Sequence, residues 1–271
     1  MFILIFPLIL PFIFLSFNSI NDLYSMNFYE FIFSFNFQIL FAFDILLFAL
    51  CPILFNYALR RWLFMLRKLN LIMLFVTMPV AIYMNYLYAP TEKIMGDVQR
   101  LFYFHMGYVL VFTLAFCVNL YYSVRFLITN NINYSTKAYL HAEIGVLFTF
   151  LTIVSGMFWA KPVWGTWWTW DPQLTTTFIL LVLYGSYLVF HSYSIKFNVP
   201  KYAAIFAIIS FIDLPIVYIS VRVMRGISPV VFGGEGGGIS PQMMDTLLLT
   251  LAAFFFLYLV LVDMRLRLDK T

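Results

Sequence analysis

The chain has 271 residues, of which 63% are hydrophobic, 21% aromatic and only 10% charged. A soluble domain is roughly 45–50% apolar, so this composition excludes an ordinary soluble fold and indicates an integral protein of a lipid bilayer. The net charge of +4 comes from residues spread over the ends of apolar runs, so it does not indicate a nucleic-acid partner.

Apolar runs long enough to cross a bilayer follow one another along the chain. A hydrocarbon core of roughly 30 Å needs about 20 helical residues, and continuous rather than alternating runs favour helices over a barrel. We therefore predict an all-α polytopic membrane protein with eight candidate spans: 2–19, 36–58, 69–88, 102–124, 138–160, 173–193, 202–222 and 246–263. The alternative for the first run is a signal peptide, but it lacks a basic segment and an obvious cleavage site, so it is retained as a span.

The 16 Lys and Arg residues all lie at or near span ends. If the basic cluster at 60–68 lies inside, alternation of the spans places eleven of the 16 inside and five outside. The positive-inside rule favours this orientation. The loop between the spans 138–160 and 173–193 then faces the periplasm of a bacterial plasma membrane or the intermembrane space of a mitochondrial inner membrane.

That loop holds the stretch WGTWWTWDP, residues 164–172, with four of the six tryptophans of the chain. Pro162 is expected to end the preceding helix, because the residue before a proline is pushed out of the helical region. Asp171 and Pro172 are expected to be the N-cap and the first residue of the next helix.

If the segment between those two helices is itself helical, four of its side chains share one face. Trp164, Trp167, Trp168 and Asp171 have the spacing i, i+3, i+4, i+7 and would form a flat aromatic shelf, with Lys161 nearby. The alternative is a belt of interfacial aromatic residues, but such belts are spread over both interfaces and not concentrated in one loop. A concentrated shelf suits a large, flat, apolar ligand with a few charges, and haem has that shape.

Haem iron needs an axial ligand from the protein. Among His105, His141 and His191, the predicted topology puts only His105 on the outer side, which makes it the candidate iron ligand. The alternative is a structural histidine in an apolar helix. Arg100, about one turn away, would pair with a propionate or anchor the helix at the interface.

Three segments resemble the CcmC/CcsA family of haem-handling proteins of cytochrome c biogenesis, and CcmC most closely. WAKPVWGTWWTWDPQLTT resembles its tryptophan-rich WWD signature, APTEKIMGDVQRLFYFHMG the segment leading to its first haem-ligating histidine, and DLPIVYISVR a later Leu-Pro segment. The resemblance covers residues 69–265 as a six-span haem-handling core with an outer WWD loop at 161–172. Residues 1–60 lie outside it, as an N-terminal extension with one or two further spans.

The resemblance implies a protein that binds haem b at the outer membrane face and passes it to a CcmE-like haem chaperone. It also implies an ABC-type cytochrome c maturation complex and a CcmD-like small subunit as partners. By position, His105 is the first axial ligand; beside this resemblance, we expect Arg100 or Lys161 to hold the propionates. The platform comprises Trp164, Gly165, Thr166, Trp167, Trp168, Trp170 and Asp171.

Two positions depart from the family pattern. Ser228 stands where the second histidine is expected, and Gln173 replaces an arginine of the signature. Serine is a poor haem ligand, so the second ligand is left open among Met224, Met243, Met244 and a group supplied by a partner.

The sequence favours haem delivery, with little bond-making of its own, over two alternatives. A CcsA-type cytochrome c synthase ranks second, because the chain lacks a large additional domain. A transporter or quinone-linked subunit belongs to a different class and is indicated only by the mid-span acids Asp44 and Asp213. We expect Asp213 to be hydrogen-bonded and to brace a kink caused by Pro215.

Overall fold

The computed structural model describes residues 59–92, 95–223 and 239–268. The candidate spans 2–19 and 36–58, Asp44, Met224 and Ser228 lie outside the described residues. The helices are α1 (Leu59–Tyr83, continued by a π-helical turn, Met84–Tyr88), α2 (Arg100–Thr129, preceded by a 3-10 turn, Asp97–Gln99), α3 (Ile132–Trp164), α4 (Pro172–Lys196), α5 (Pro200–Phe211), α6 (Asp213–Val223) and α7 (Pro241–Leu268).

Six stretches of the described residues are helical, long and apolar enough to cross a membrane, with α5 and α6 together forming one of them. The prediction of an all-α polytopic membrane protein is confirmed, and each of the six predicted core spans corresponds to one of these stretches. The helices run beyond the apolar segments: α3 starts at Ile132, six residues before the predicted span. Asn131 accounts for that start, because its side-chain oxygen accepts from the backbone N–H of Asn133 at 3.0 Å and caps the helix.

The span predicted at 202–222 is broken between α5 and α6 at Ile212. Pro215 has no N–H for the carbonyl of Phe211 and its ring crowds that carbonyl. The helix therefore ends at Phe211, and the N–H of Ile212 bonds the carbonyl of Ile209 at 3.1 Å instead. The helix is thus interrupted next to Pro215, but Oδ2 of the buried Asp213 side chain has no hydrogen-bond partner within the described part of the chain, so the expected bracing is not seen at that atom.

Helices α2 and α3 form the most extensive helix–helix contact among the described residues. A Cβ atom on Gly145 of α3 would lie only 2.4 Å from Cε1 of Phe116 on α2. Phe116 has no room to move, because it is fully buried and its ring stacks on that of Tyr184 in α4 with centroids 3.6 Å apart. Gly145 thus allows three helices to meet closely, as small residues do in membrane bundles.

The end of the bundle opposite to the tryptophan loop is held together by polar contacts between helices. His141 on α3 is hydrogen-bonded through Nδ1 to the hydroxyl of Tyr258 on α7 at 2.8 Å. His191 on α4 is hydrogen-bonded through Nε2 to Ser135 on α3 at 2.9 Å. Both histidines are buried, so their contacts join helices far from the loop.

The close approach at Gly145 generates a stability prediction. Gly145→Ala is expected to lower the free energy of unfolding by about 1–3 kcal/mol, because the added methyl group overpacks the site against a fixed ring. Gly185→Ala is the matched control, since no atom lies within 4 Å of a Cβ there, and alanine is expected to leave stability unchanged or raise it by about 0.5–1 kcal/mol. Thermal unfolding in detergent measures both, and equal effects would contradict the packing account.

Candidate functional site

The tryptophan loop begins later than predicted, because α3 continues through Pro162 to Trp164. The prediction that Pro162 ends the helix is therefore wrong. A proline in the last turn removes only one backbone hydrogen bond, and the end of the helix is closed at Gly165. Gly165 has φ +74°, a left-handed conformation that glycine adopts without strain, and its N–H bonds the carbonyl of Lys161 at 3.0 Å.

Residues 165–171 are not helical, so the condition for the predicted shared helical face is not met. Within this loop, Thr166 donates its hydroxyl to the carbonyl of Trp168 at 3.0 Å. The loop ends as predicted at Asp171, whose buried side chain accepts from the N–H of Gln173 at 2.9 Å, with Pro172 at the start of α4.

Trp167 lies beside the last turns of α3. Its ring meets that of Phe158 edge-on, with centroids 5.7 Å apart. Lys161 Nζ lies 5.9 Å from the centre of the same indole and donates to the carbonyl of Gly165 at 2.9 Å. The ammonium group therefore stays next to an indole that is 48% exposed.

Trp168 and Trp170 form a second aromatic group with Phe178 on α4. The two indoles meet edge-on at 5.6 Å, and each contacts Phe178, at 6.2 and 6.4 Å respectively. Trp170 is 73% exposed, whereas the Nε1 atom of Trp168 is buried and has no hydrogen-bond partner among the described residues. Because the rings are edge-on, the surface is ridged and not the flat shelf that the helical spacing predicted.

His105 lies in the second turn of α2 and is held by α3. Its Nδ1 atom is 2.9 Å from Oγ of Ser155, and Ser155 donates its own proton to the carbonyl of Thr152 at 3.0 Å. With the Ser155 proton directed to Thr152, Ser155 Oγ can only accept from His105, and this arrangement leaves the imidazole lone pair on Nε2. On the same face of α3 lie Trp159, whose ring centroid is 6.1 Å from that of His105, and Gly156, where a Cβ would be 3.5 Å from Cε1 of His105.

Arg100 joins the end of α1 to the start of α2. Its guanidinium forms an ion pair with Asp97 at 3.1 Å, donates to Thr91 Oγ1 at 3.3 Å and donates to the backbone carbonyl of Asn85. Asn85 returns a bond from Nδ2 to the carbonyl of Arg100 at 3.1 Å. These contacts match the anchoring alternative of the sequence analysis.

The structure adds three residues to those that the sequence pointed to. Ser155 and Trp159 lie one turn apart on α3. Their i, i+4 spacing could have predicted that both side chains face the same neighbouring helix. Met95 lies in the turn before α2, and its Sδ atom accepts a hydrogen bond from Nε1 of Trp159 at 3.3 Å. That contact joins residues 64 positions apart, and no helical spacing predicts it.

These features define a polytopic helical membrane protein with a tryptophan-rich loop and a half-buried histidine at the same end of the helix bundle. The family model of CcmC, "Heme exporter protein C", matches residues 51–270. The chain belongs to this family, and the predicted family is confirmed.

Three relatives illustrate the extent of the similarity. A "putative cytochrome c biosynthesis ccmC-like mitochondrial protein" of Marchantia polymorpha is 34% identical over 66% of this chain and 76% of its own length. The protein of that name from Arabidopsis thaliana is 31% identical over 72% of this chain and 74% of its own length. "Heme exporter protein C" of Haemophilus influenzae is 38% identical over 47% of this chain and 53% of its own length.

The geometry of Asp171 predicts a graded response to substitution. Asp171→Ala removes the N-cap of α4 and is expected to cost about 1 kcal/mol of stability. Asp171→Ser, the matched control, keeps an oxygen that can accept from Gln173 and is expected to retain most of that stability. Chemical or thermal unfolding in detergent checks this, and equal losses in the two variants would show that capping is not the stabilising contribution of Asp171.

Proposed function

We propose that this chain binds haem b at the tryptophan-loop end of the bundle and presents it to a CcmE-like haem chaperone during cytochrome c maturation. The family and the names of the relatives, which refer to haem export and cytochrome c biosynthesis, support this function. The observation that carries it is the state of His105. In this state the Nδ1–H of His105 donates to the Ser155 hydroxyl at 2.9 Å, which leaves Nε2 as a neutral nitrogen donor.

The donor set fits haem. Neutral imidazole is a common axial ligand of haem iron, and a hydrogen bond from its other nitrogen fixes the tautomer and the ring orientation. Ser155 accepts that bond. His105 is also partly exposed, and Gly156 next to it carries no side chain that would fill the space beside the imidazole.

The loop provides the other contacts that haem needs. Indole rings stack on flat aromatic systems, and we assign this role to Trp167, Trp168 and Trp170. The buried N–H of Trp168, which has no partner in the described part of the chain, suits a propionate oxygen. Lys161 adds a positive charge beside Trp167.

The remaining predicted residues shape the site. Trp164 and Gly165 end α3, Thr166 turns the loop, and Asp171 starts α4. Arg100 holds the segment before α2 in place through its contacts with Asp97, Thr91 and Asn85. From this fixed position its guanidinium group pairs with a propionate in our proposal.

Exposed indoles favour delivery over storage. A ligand resting on side chains that are 48% and 73% exposed can be covered by a second protein while it is still bound. No bond of the macrocycle has to be made or broken for such a transfer. An ABC-type complex and a CcmD-like small subunit are proposed as the assembly in which it occurs.

We assign these roles to a six-span core, residues 69–265, with the WWD loop at 161–172. Residues 1–60 form a separate N-terminal extension in this proposal. In partial support, the match to the family model leaves out residues 1–50.

Absorption spectroscopy of the full chain in detergent, with haem added, tests the proposal. The wild type is expected to show a Soret band of bound haem. His105→Ala and the double variant Trp167→Ala/Trp168→Ala are expected to weaken it, by loss of the iron ligand and of the stacking surface respectively. A wild type without a Soret band, even in the presence of the chaperone, would refute haem delivery.

Two variants control for a loss of haem binding that is caused by general loss of structure. His191→Ala removes a histidine that is also hydrogen-bonded to a serine at 2.9 Å, but at the opposite end of the bundle. Phe197→Ala removes an aromatic side chain that is 68% exposed, also away from the loop. Both are expected to retain the Soret band.

We further propose that the loop faces the outer side, as the distribution of basic residues indicates. In a variant without Cys51 and Cys117, an impermeant maleimide is expected to label Val163→Cys in sealed right-side-out membranes. It is expected to label Phe197→Cys only after permeabilisation. The reverse pattern would invert the topology.

A further inference from the structure

The second iron ligand is not assigned by the family pattern, because this chain has Ser228 at the position where the second histidine is expected. One atom of the type that ligates haem iron is joined to His105 through a shared neighbour, Trp159. It is the thioether sulphur of Met95, and histidine with methionine is one of the known axial pairs of haem.

Met95 reaches the site from a tight turn just before α2. The turn is closed by a bond from the N–H of Gly96 to the carbonyl of Glu92 at 3.0 Å. The N–H of Met95 itself donates to Oε2 of Glu92 at 2.5 Å. Gly96 has φ 58° and ψ −141°, a conformation that only glycine adopts readily. The turn thus fixes the backbone position from which the Met95 side chain extends.

Trp159 links the sulphur to the histidine. Its indole N–H donates to Sδ of Met95 at 3.3 Å, and its ring meets that of His105 edge-on at 6.1 Å. A thioether sulphur has two lone pairs, so the bond from Trp159 leaves one for a metal. The imidazole and the sulphur therefore border the same indole, and each keeps one donor electron pair.

We propose that Met95 is the second axial ligand of the haem in this chain and takes the place of the absent histidine. The inference rests on the proposed haem-binding function. It also gives Trp159 a role, since a hydrogen bond to the sulphur holds the thioether in position. A methionine ligand raises the reduction potential of haem relative to a second histidine, so the bound haem would be more easily reduced.

The test uses the full chain in detergent with added haem, oxidised and then reduced. The ferric wild type is expected to show, besides its Soret band, the weak near-infrared charge-transfer band of a sulphur–iron bond. Met95→Leu keeps the volume of the side chain and removes the sulphur donor. It is expected to lose the near-infrared band, keep a Soret band through His105 and lower the reduction potential. Met95→His is expected to give the spectrum of two imidazole ligands.

Methionines elsewhere serve as matched controls. Met243→Leu and Met244→Leu, at the start of α7, are expected to keep the near-infrared band. A wild type with a Soret band but without the near-infrared band, or a band that persists in Met95→Leu, would overturn the assignment and leave Met95 as packing for Trp159. A wild type without any Soret band would refute the proposed function itself, so the two failures are distinguishable.

Discussion

The close packing of α2 on α3 is the constraint on which the site depends. The two helices meet closely where Gly145 faces Phe116, since a Cβ on Gly145 would lie 2.4 Å from the ring. His105 lies eleven residues before Phe116 on α2, and Gly156 lies eleven residues after Gly145 on α3. Eleven residues are about three helical turns, so in this antiparallel pair both steps return to the contact face. The register set in the middle of the bundle thus places His105 against Gly156 and the neighbouring Ser155.

Most of the fold follows from the sequence because apolar length alone identifies a membrane-spanning helix. Helix ends are less predictable, since they depend on individual capping contacts. Asn131 extends α3 at its start, and Gly165 extends it past Pro162 at its end. The rule that a proline stops a helix failed because the lost hydrogen bond lies in the last turn, where left-handed Gly165 and the side chain of Lys161 already satisfy the helix terminus.

The site was predictable where local patterns carry the information. The concentration of tryptophans pointed to the loop, and the topology of the spans separated His105 from the other two histidines. The contacts that give His105 its chemistry were not predictable, because they join distant parts of the chain. Ser155 is 50 positions from His105, and Met95 is 64 positions from Trp159. Spacing rules reach only a few turns along one helix, whereas these contacts depend on how the helices pack.

The geometry divides the proposed haem contacts between two kinds of structure. The iron side rests on helices, where α2 carries His105 and α3 carries Ser155 and Trp159. The macrocycle side rests on a non-helical loop, whose indoles are largely exposed. Trp170 and Trp167 are 73% and 48% exposed, whereas His105 is partly buried between α2 and α3. In the proposed function, the exposed loop would let a partner protein reach the ring while α2 and α3 still hold the iron ligand.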